Sequence, residues 1–294
     1  RRNTEQGLRE RIFTLTGTQR EILRDKGKVR CLLPNDRSLE IESQWAEGLF
    51  PEFDLERWKQ TRTYYRYSLK GRDRIADRET EVLDITPIDG DRYGYRLWID
   101  LQTGLLLKSS LNDHQSRALQ QIVFTEIEIG SSISDAELSI SQPDGKYLNL
   151  PVSKPARRAA IEQQPSWHPE YLPKGFKLQS HQRLPRKALA SSDVEQAAQE
   201  FHLEHSVYSD GLVSFSLYIE GVPGIGDEGE AEFTRGGTMV IARRKGDYLI
   251  TAVGELPHKS LKKILSSVRL KTGESLSGIE VPQQSASGQG ETVK

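Results

Sequence analysis

The chain has few of the residues that build redox, metal or membrane-spanning sites. Its 294 residues include a single cysteine, Cys31, which excludes an intramolecular disulfide and a cysteine-based metal site. No run of about 18 apolar residues occurs, so the sequence predicts no membrane-spanning helix. The net charge is −1, which argues against a general affinity for nucleic acid.

The first residues also lack the pattern of a secretion signal. They read RRNTEQGLRERIF and carry charges without the apolar stretch of about 7–15 residues that a signal peptide needs. An initiator methionine is absent as well. We therefore expect a chain that has been processed or trimmed.

The residues that are present suffice for a hydrophobic core. Hydrophobic residues make up 35% of the chain and the mean hydropathy is −0.61, and the length fits one large domain or two ordinary ones. Residues 1–150 carry 23 basic and 25 acidic side chains, a balance of −2, whereas residues 151–272 carry 17 and 14, a balance of +3. The mildly basic second region permits contact with an acidic partner or an anionic lipid without requiring it.

Residues 7–150 predict a run of antiparallel strands. Apolar and charged residues alternate in GLRERIFTLTG, REILRDKGKVRCLL and RSLEIES, which is typical of half-buried strands. Residues 44–63 are aromatic and contain Pro51, so we predict a loop and a short helix there. Hairpin patterns recur after residue 64, among them the turn pair Asp89–Gly90. Four such strands in a row predict a meander that curls into a barrel or half-barrel.

The stretch GRDRIADRETEVLDI, residues 71–85, places six charged side chains between Arg72 and Glu79. These could include a catalytic acid–base pair. However, each carboxylate lies close to an arginine in the sequence, and a neighbouring cation favours the ionised carboxylate. A general acid needs the opposite shift of its pKa. We interpret the stretch as a polar turn that leads into a strand.

A second domain is expected after a proline-rich linker. Residues 151–165 contain three prolines and no strand pattern, so we predict a first domain at 1–150, a linker at 151–165, an α+β domain at 166–272 and a disordered tail at 273–294. Asp210–Gly211 predicts a hairpin turn, and PHKSLKKILSSVRL predicts an amphipathic helix. The apolar faces of these elements are formed by Val213, Phe215, Leu217 and Ile219, and by Leu261, Ile264, Leu265 and Val268.

The sequence shows no constellation typical of catalysis or of a metal site. Cys31 lies in a strand pattern with no histidine nearby, and no G-x-S-x-G motif occurs, so an activated nucleophile is not indicated. His202 and His205 are three residues apart, but a third metal ligand is not evident from spacing. The glycine-rich GVPGIGDEG carries carboxylates that would repel phosphate. We expect no catalytic residue, no metal, no cofactor and no enzymatic activity.

Aromatic residues are concentrated ahead of the meander. Seven of them lie within one stretch, namely Trp45, Phe50, Phe53, Trp58, Tyr64, Tyr65 and Tyr67. They could fill the core of the barrel, or they could form the lid or wall of an apolar ligand cavity. The residues alone leave both interpretations open.

Four segments, in the same order, resemble one protein family. GRDRIADRETEVLDITPIDGDRYGYRLWIDLQTGLLLKSSLND, SWHPEYLPKGF, YSDGLVSFSLYIEG and VGELP are similar to the RseB/MucB family, the periplasmic regulators of envelope-stress sigma factors. The resemblance runs from about residue 8 to about residue 270. Compared with that family, the chain is expected to start inside the first domain, without the opening helix and strands.

The resemblance implies a fold, a partner and a mechanism. The first domain would be a half-open β-barrel like the lipoprotein carriers LolA and LolB, followed by a smaller α+β domain. The protein would be a non-enzymatic periplasmic regulator that binds the periplasmic region of a membrane-spanning anti-sigma factor, MucA or RseA, and shields it from the site-1 protease. Lipid or lipopolysaccharide would trigger release, which in some bacteria controls alginate production. A homodimer is a further expectation.

Two sets of site residues follow from this hypothesis. We predict a lipid cavity near Trp45, Phe50, Trp58, Tyr95 and Trp98. We predict a surface for the anti-sigma factor near Tyr208, Asp210, Phe215 and Tyr218. The alternative is a periplasmic lipid or lipoprotein carrier. An envelope hydrolase is a third class, disfavoured because no nucleophile or metal site emerges.

Overall fold

The computed structural model of the chain describes residues 2–4, 7–25, 28–32, 39–42, 59–141, 148–150, 164–185, 202–222 and 229–270. No helix in these ranges is both long and apolar enough to cross a membrane. We call the described residues up to 150 the N-terminal part and those from 164 onward the C-terminal part.

The described residues form nineteen strands, the helix α1 (His258–Ser266) and a helical segment at residues 59–61, inside the range where a short helix is predicted. In chain order the strands are β1 (Arg2–Thr4), β2 (Gly7–Phe13), β3 (Glu21–Asp25), β4 (Lys28–Leu32), β5 (Leu39–Glu42), β6 (Tyr65–Ile75), β7 (Arg78–Pro87), β8 (Gly94–Asp100), β9 (Leu106–Asn112), β10 (Ala118–Val123), β11 (Leu148–Leu150), β12 (Trp167–Pro169), β13 (Lys177–Pro185), β14 (His202–Ser209), β15 (Ser214–Gly221), β16 (Glu230–Arg235), β17 (Thr238–Lys245), β18 (Tyr248–Gly254) and β19 (Val268–Leu270).

The first sheet of the N-terminal part has the strand order β1-β2-β3-β4-β5-β11. The strands β1 to β5 pair antiparallel and β11 joins β5 in parallel. The alternating sequences predict β2 to β5 as strands, whereas β1 lies ahead of the predicted region. Residues 133–141 are tied to this sheet by polar contacts. The Arg9 Nη1 donates to Asp135 Oδ1 at 2.6 Å, and the backbone N–H of Ser141 donates to Glu21 Oε1 at 3.1 Å.

The second sheet has the order β10-β9-β8-β7-β6, with every pair antiparallel. Its first hairpin turns at Ala76 and Asp77, where φ is 46° and 64°. Both residues are left-handed, so this tight turn forms without the usual glycine. The polar stretch 71–85 thus contains a turn, as predicted, but residues 71–75 already belong to β6 because they pair with β7.

The turn predicted at Asp89–Gly90 is a longer loop. Residues 88–93 separate β7 from β8, so a two-residue hairpin connection is wrong here. The physical reason is the Arg92 side chain, which leaves the sheet and is buried against the C-terminal part. The loop has to be long enough to deliver that side chain.

The C-terminal part contains a six-stranded sheet of order β13-β14-β15-β18-β17-β16 and a two-stranded sheet of β12 and β19. The predicted turn at Asp210–Gly211 is confirmed, because the backbone N–H of Asp210 donates to the Val213 carbonyl oxygen and Gly211 has a φ of 102°. The predicted buried face is confirmed as well: Val213, Phe215, Leu217 and Ile219 are each at most 4% exposed.

Helix α1 begins directly after Pro257, a residue that suits the start of a helix. It buries Leu261, Ile264 and Leu265 against the sheet, as its sequence pattern predicts. Val268, expected on the same helical stripe, is buried but begins β19. Each fully buried aliphatic side chain of this kind contributes about 1.5–3 kcal/mol.

The architecture is mainly β, as predicted. The N-terminal part consists of two sheets, and no strand pairing joins them within the described ranges. The arrangement is therefore half-open and not a closed barrel among these residues. The C-terminal part adds a sheet covered on one side by a helix, as expected for an α+β domain.

Candidate functional site at the junction of the two parts

One cluster of buried apolar side chains joins the second sheet to the C-terminal part, whereas Leu23, Leu32 and Ile140 form a separate cluster at the first sheet. Tyr65, Ile85 and Leu97 of the second sheet belong to the same cluster of buried side chains as Phe215 and Ile264 of the C-terminal part. The two parts are therefore packed against each other through side chains that exclude water. Such contacts favour a defined relative placement of the two sheets.

Arg92 lies fully buried at the centre of this junction. Its Nε donates to Asp210 Oδ2 at 2.6 Å, and both side chains of this ion pair have 0% exposure. The remaining guanidinium nitrogens donate to Asp89 and to the carbonyl oxygen of Lys174. Burial opposes the charge, but the hydrogen bond to Asp210 and the electrostatic attraction of Tyr65, Asp210 and Asp89 together outweigh it and raise the pKa of Arg92. The cation is thus held by groups from both parts.

Aromatic rings surround the same guanidinium. The Arg92 Cζ lies 5.1 Å from the ring centre of Tyr64, 5.7 Å from that of Tyr65 and 5.1 Å from that of Phe176. A cation within about 6 Å of a ring centre is attracted by the π electrons. The rings therefore provide a favourable environment for a charge that has lost its water.

Asp210 uses its two carboxylate oxygens for two different tasks. Oδ1 accepts the backbone N–H groups of Leu212 and Val213, both at 2.9 Å, and so closes its own hairpin turn. Oδ2 accepts from Arg92 and from the Tyr65 hydroxyl, the latter at 2.8 Å. Burial and the adjacent Asp210 charge raise the pKa of Tyr65. The turn between β14 and β15 and the contact with the N-terminal part therefore share one side chain.

A second polar contact starts from the neighbouring residue Asp91. The Ser260 hydroxyl in helix α1 donates to Asp91 Oδ1 at 2.8 Å, and the Tyr171 hydroxyl donates to Oδ2 at 3.0 Å. Burial and the hydrogen bond to Asp91 raise the pKa of Tyr171 to about 12. The loop 88–93 consequently binds both the β14–β15 turn and the start of helix α1.

Two glycines show how closely the parts approach each other. A Cβ on Gly175 would overlap the ring of Tyr64, and a Cβ on Gly237 would overlap a methyl group of Leu111. Gly175 also has a φ of 96°, which only glycine adopts without strain. The junction therefore has no room for an extra methyl group at either position.

Of the five predicted lipid residues, the structure describes only Tyr95 and Trp98. Trp45, Phe50 and Trp58 lie outside the described residues. Tyr95 faces the C-terminal part, where its hydroxyl donates to Glu255 Oε2 at 3.3 Å. Trp98 lies on the opposite face of β8, where Nε1 donates to Asp73 Oδ2 at 2.8 Å. The structure thus does not bring Tyr95 and Trp98 together, and the lipid cavity stays a prediction.

A cavity of about 310 Å³ lies beside the β3–β4 hairpin. Its described lining consists of Leu23, Asp25, Lys28 and Arg30. Three of these four residues are charged. Acyl chains prefer apolar linings, so this cavity does not match the predicted lipid cavity.

The predicted partner residues separate into two groups. Tyr208, Asp210 and Phe215 are 4%, 7% and 1% exposed and belong to the junction. Tyr218 lies on the other face of the sheet, where its ring stacks on His205 at 4.3 Å with an interplanar angle of 2°. Successive strand residues point to opposite faces, so Phe215 and Tyr218, three residues apart in β15, lie on opposite faces of the sheet. A partner surface made of all four stays a prediction, and Tyr218 is the accessible member.

The face that carries Tyr218 includes a row of mostly apolar residues. The strand register aligns one residue from each of the five strands β14, β15, β18, β17 and β16 in a row, namely Val207, Ser216, Val253, Val240 and Phe233. Phe233 is 62% exposed, and the three valines are half-buried. We call this row, with the His205–Tyr218 stack, the outer face. Apolar patches of this kind typically mark interaction sites.

The described residues give no sign of catalytic chemistry. No group of three or more His, Cys, Asp or Glu in these ranges is arranged to hold a metal ion. Burial raises the pKa of the Cys31 thiol, which disfavours the reactive thiolate. The pKa of Asp73 is lowered, as expected, but chiefly by hydrogen bonds from the Arg74 backbone N–H and the Trp98 indole, with a smaller effect of the Lys108 cation.

Sequence reasoning missed the residues that join the two parts. The sequence pattern places Arg92 in the strand RYGYRLWID, on the face of Arg96 and Trp98, whereas the structure places it in the loop before β8. The pattern indicates no site role for Asp91 or Tyr171. Only the contacts made over more than 70 residues of chain reveal that these three residues join the two parts. Asp210 was predicted as a site residue, but as part of an exposed surface.

Comparison with known proteins identifies relatives over both parts. The MucB/RseB N-terminal domain matches residues 1–141, and the MucB/RseB C-terminal domain matches residues 161–269. The sigma factor AlgU regulatory protein MucB of Pseudomonas aeruginosa is 30% identical over 267 residues, which cover 89% of this chain and 77% of that protein. The sigma-E factor regulatory protein RseB of Escherichia coli K12 is 26% identical over 261 residues, 88% of this chain and 76% of that protein.

A solved structure is similar as well. The crystal structure of MucB in complex with MucA(peri) matches with a TM-score of 0.66 at 26% identity, covering 92% of this chain and 86% of that one. Both curated relatives are named as regulators of a sigma factor and not as enzymes. The chain carries both domains of these regulators in the same order, and it belongs to the MucB/RseB family.

Proposed function

We propose that this protein is a periplasmic regulator that binds the periplasmic region of a membrane-spanning anti-sigma factor. Binding covers a protease-sensitive segment of the partner and delays cleavage by the site-1 protease. Lipid or lipopolysaccharide lowers the affinity and releases the partner. The alternative of a lipid or lipoprotein carrier uses the same half-open N-terminal part without the anti-sigma factor.

The observation that carries this proposal is the similarity to MucB bound to MucA(peri). It extends over 92% of the chain and includes both parts. Similarity of only one part to MucB would indicate a shared domain, but it would not support a similar complex. Here both parts and their order support the same kind of assembly.

The outer face supplies the partner contact in this proposal. Tyr218 and the exposed Phe233 lie on it, and aromatic side chains frequently dominate the binding energy of an interface. The anti-sigma segment would cover the apolar row with its own apolar residues. Tyr208 and Phe215 act indirectly, because they hold the sheet against the N-terminal part.

Release by lipid requires that lipid binds the two states of the protein with different affinity. A tenfold fall in partner affinity corresponds to about 1.4 kcal/mol of coupling between the two sites. We place the lipid against the aromatic stretch that contains Trp45, Phe50 and Trp58, and against Trp98. Native mass spectrometry of the purified protein checks whether lipid is retained.

The partner contact is tested with the purified anti-sigma periplasmic fragment and isothermal titration calorimetry. We expect Tyr218→Ala and Phe233→Ala each to weaken binding about tenfold or more. Leu69→Ala is the matched control, since Leu69 is 68% exposed but lies in the N-terminal part. Wild-type protein that fails to bind the fragment, with or without lipid, contradicts the proposal.

Protection and release are tested with the site-1 protease. Cleavage of the anti-sigma fragment should slow when the protein is added and recover when lipid is added. Trp58→Ala and Trp98→Ala should protect normally but respond less to lipid, whereas Tyr95→Phe should respond like the wild type. Normal lipid binding by Trp58→Ala would count against a lid at this position. Lipoprotein handover without fragment binding would support the carrier.

A further inference from the structure

One short loop carries several of the polar contacts between the two parts, in addition to those of Tyr65 and Tyr95. We call residues 88–93 the crossing loop. Arg92 binds Asp210 in the β14–β15 turn, and Asp91 binds Ser260 in helix α1. Asp89, in the same loop, holds the Arg92 guanidinium from the other side. The position of this loop therefore decides whether the turn and the helix stay attached to the N-terminal sheet.

The central contact cannot loosen gradually. Neither Arg92 nor Asp210 exposes any side-chain surface. A slight separation would break their ion pair before water could enter, and an unpaired buried charge is strongly unfavourable. A complete separation hydrates both groups and removes that penalty. The junction therefore favours two end states and disfavours the arrangements between them.

We propose that the Arg92–Asp210 pair is a latch between a closed arrangement, seen in the structure, and an open one in which the crossing loop is hydrated. The inference rests on the geometry of the junction and goes beyond the proposed function. Tyr65 is part of the latch, because its hydroxyl donates to the same Oδ2 that accepts from Arg92.

The latch also reaches the outer face. Asp210 Oδ1 closes the turn between β14 and β15, and these strands carry His205 and Tyr218 of the outer face. Opening removes the contact on Oδ2 and frees the turn to move. If the outer face binds the anti-sigma segment, the latch provides the two states that regulated release requires. This last link alone rests on the proposed function.

The test measures the distance between the two parts by pulsed electron paramagnetic resonance. Nitroxide labels are attached at Arg66→Cys and Lys259→Cys, which are exposed positions on opposite sides of the junction, in a Cys31→Ser background. We expect one narrow distance distribution for this labelled protein. Arg92→Met should raise the open fraction by at least about a hundredfold and add a longer, broader component.

Two further variants separate a latch from general destabilisation. Arg78→Met removes an arginine that pairs with Asp100 inside the second sheet, so it should leave the distribution narrow. Combining Arg92→Met with Asp210→Asn removes both charges and keeps an oxygen for the turn, so it should restore much of the closed population. A buried pair replaced on both sides is commonly tolerated, whereas removal of one partner is not.

The outcomes are distinct. An Arg92→Met protein that is folded by circular dichroism and keeps the narrow distribution overturns the latch, and so does equal broadening by Arg78→Met. Should Arg92→Met not fold, Tyr65→Phe is the milder variant and should add the same longer component in a smaller amount; no such component overturns the latch. Adding the anti-sigma fragment tests the link to function separately. Failure of the fragment to bind contradicts the proposed function, whereas the label-to-label distances still decide whether the latch exists.

Discussion

Asp210→Asn gives the sharpest prediction about the stability of this protein. The substitution preserves the shape of the side chain and keeps an oxygen for the Leu212 and Val213 backbone N–H groups. It removes the negative charge that faces Arg92, and both side chains are completely buried. The variant therefore separates the contacts on Oδ2, which come from Arg92 and Tyr65, from the contacts that close the turn.

The expected magnitude follows from this burial. Removing one partner of a buried ion pair costs about 3–5 kcal/mol. Asp89 remains in contact with Arg92, so we expect the lower end, about 3 kcal/mol. For a chain of this size, that loss lowers the melting temperature by roughly 6–12 °C. Asp210→Ala should lose about 1–3 kcal/mol more, because the turn N–H groups also lose their acceptor.

Differential scanning calorimetry measures this effect, with Asp100→Asn as the control. Asp100 is also a buried carboxylate bound to an arginine, but Arg78 keeps contact with water and belongs to the same sheet. We expect a smaller loss for Asp100→Asn. An Asp210→Asn protein that melts within about 2 °C of the wild type would refute the reasoning, as would an equal loss for Asp100→Asn.

Three further predictions concern packing and pH. Gly237→Ala should cost about 1–3 kcal/mol, because its Cβ would overlap the buried Leu111, whereas Gly90→Ala meets no atom and should be neutral in urea unfolding. Burial raises the pKa of Glu21, but hydrogen bonds outweigh burial and lower this pKa in the folded state. The stabilisation by the ionised Glu21 carboxylate is therefore lost as the pH falls below the ordinary carboxyl range. The melting temperature of Glu21→Gln should decline less steeply on acidification than that of the wild type. Burial lowers the pKa of His205, so acidification through about pH 6.5 should destabilise the wild type more than His205→Gln. For Glu21 and for His205, a variant whose melting temperature follows the same pH profile as the wild type contradicts the assigned pKa shift.

The elements that sequence reasoning predicted well are those defined by local patterns. The alternation in the β15 strand and the helical spacing of Leu261 and Ile264 place these side chains on one face, and both faces are buried. The Asp210–Gly211 turn has the same basis, since a left-handed glycine is a local property. Such patterns need no knowledge of what lies on the other side of the core.

The predicted site residues were assigned less accurately, because local patterns do not show which face of an element is covered. Alternation indicates that Phe215 and Tyr218 face opposite ways, but it does not tell which face is covered. The structure buries Phe215 and leaves Tyr218 on the outer face. Coverage depends on elements more than a hundred residues away in the chain, including Tyr65, which bonds to Asp210.

By itself, the sequence determined a mainly β chain with two regions, regular hairpins and no recognisable catalytic or metal-binding pattern. The packing of distant segments joins the second sheet and the C-terminal part in one apolar cluster, and it buries Arg92 of the DGDR loop at their junction. The physical reason is that hydrophobic periodicity records the face of each element, whereas a buried ion pair depends on two distant segments that meet only in the folded protein. A charged loop residue has the same local sequence pattern whether water or a carboxylate surrounds it.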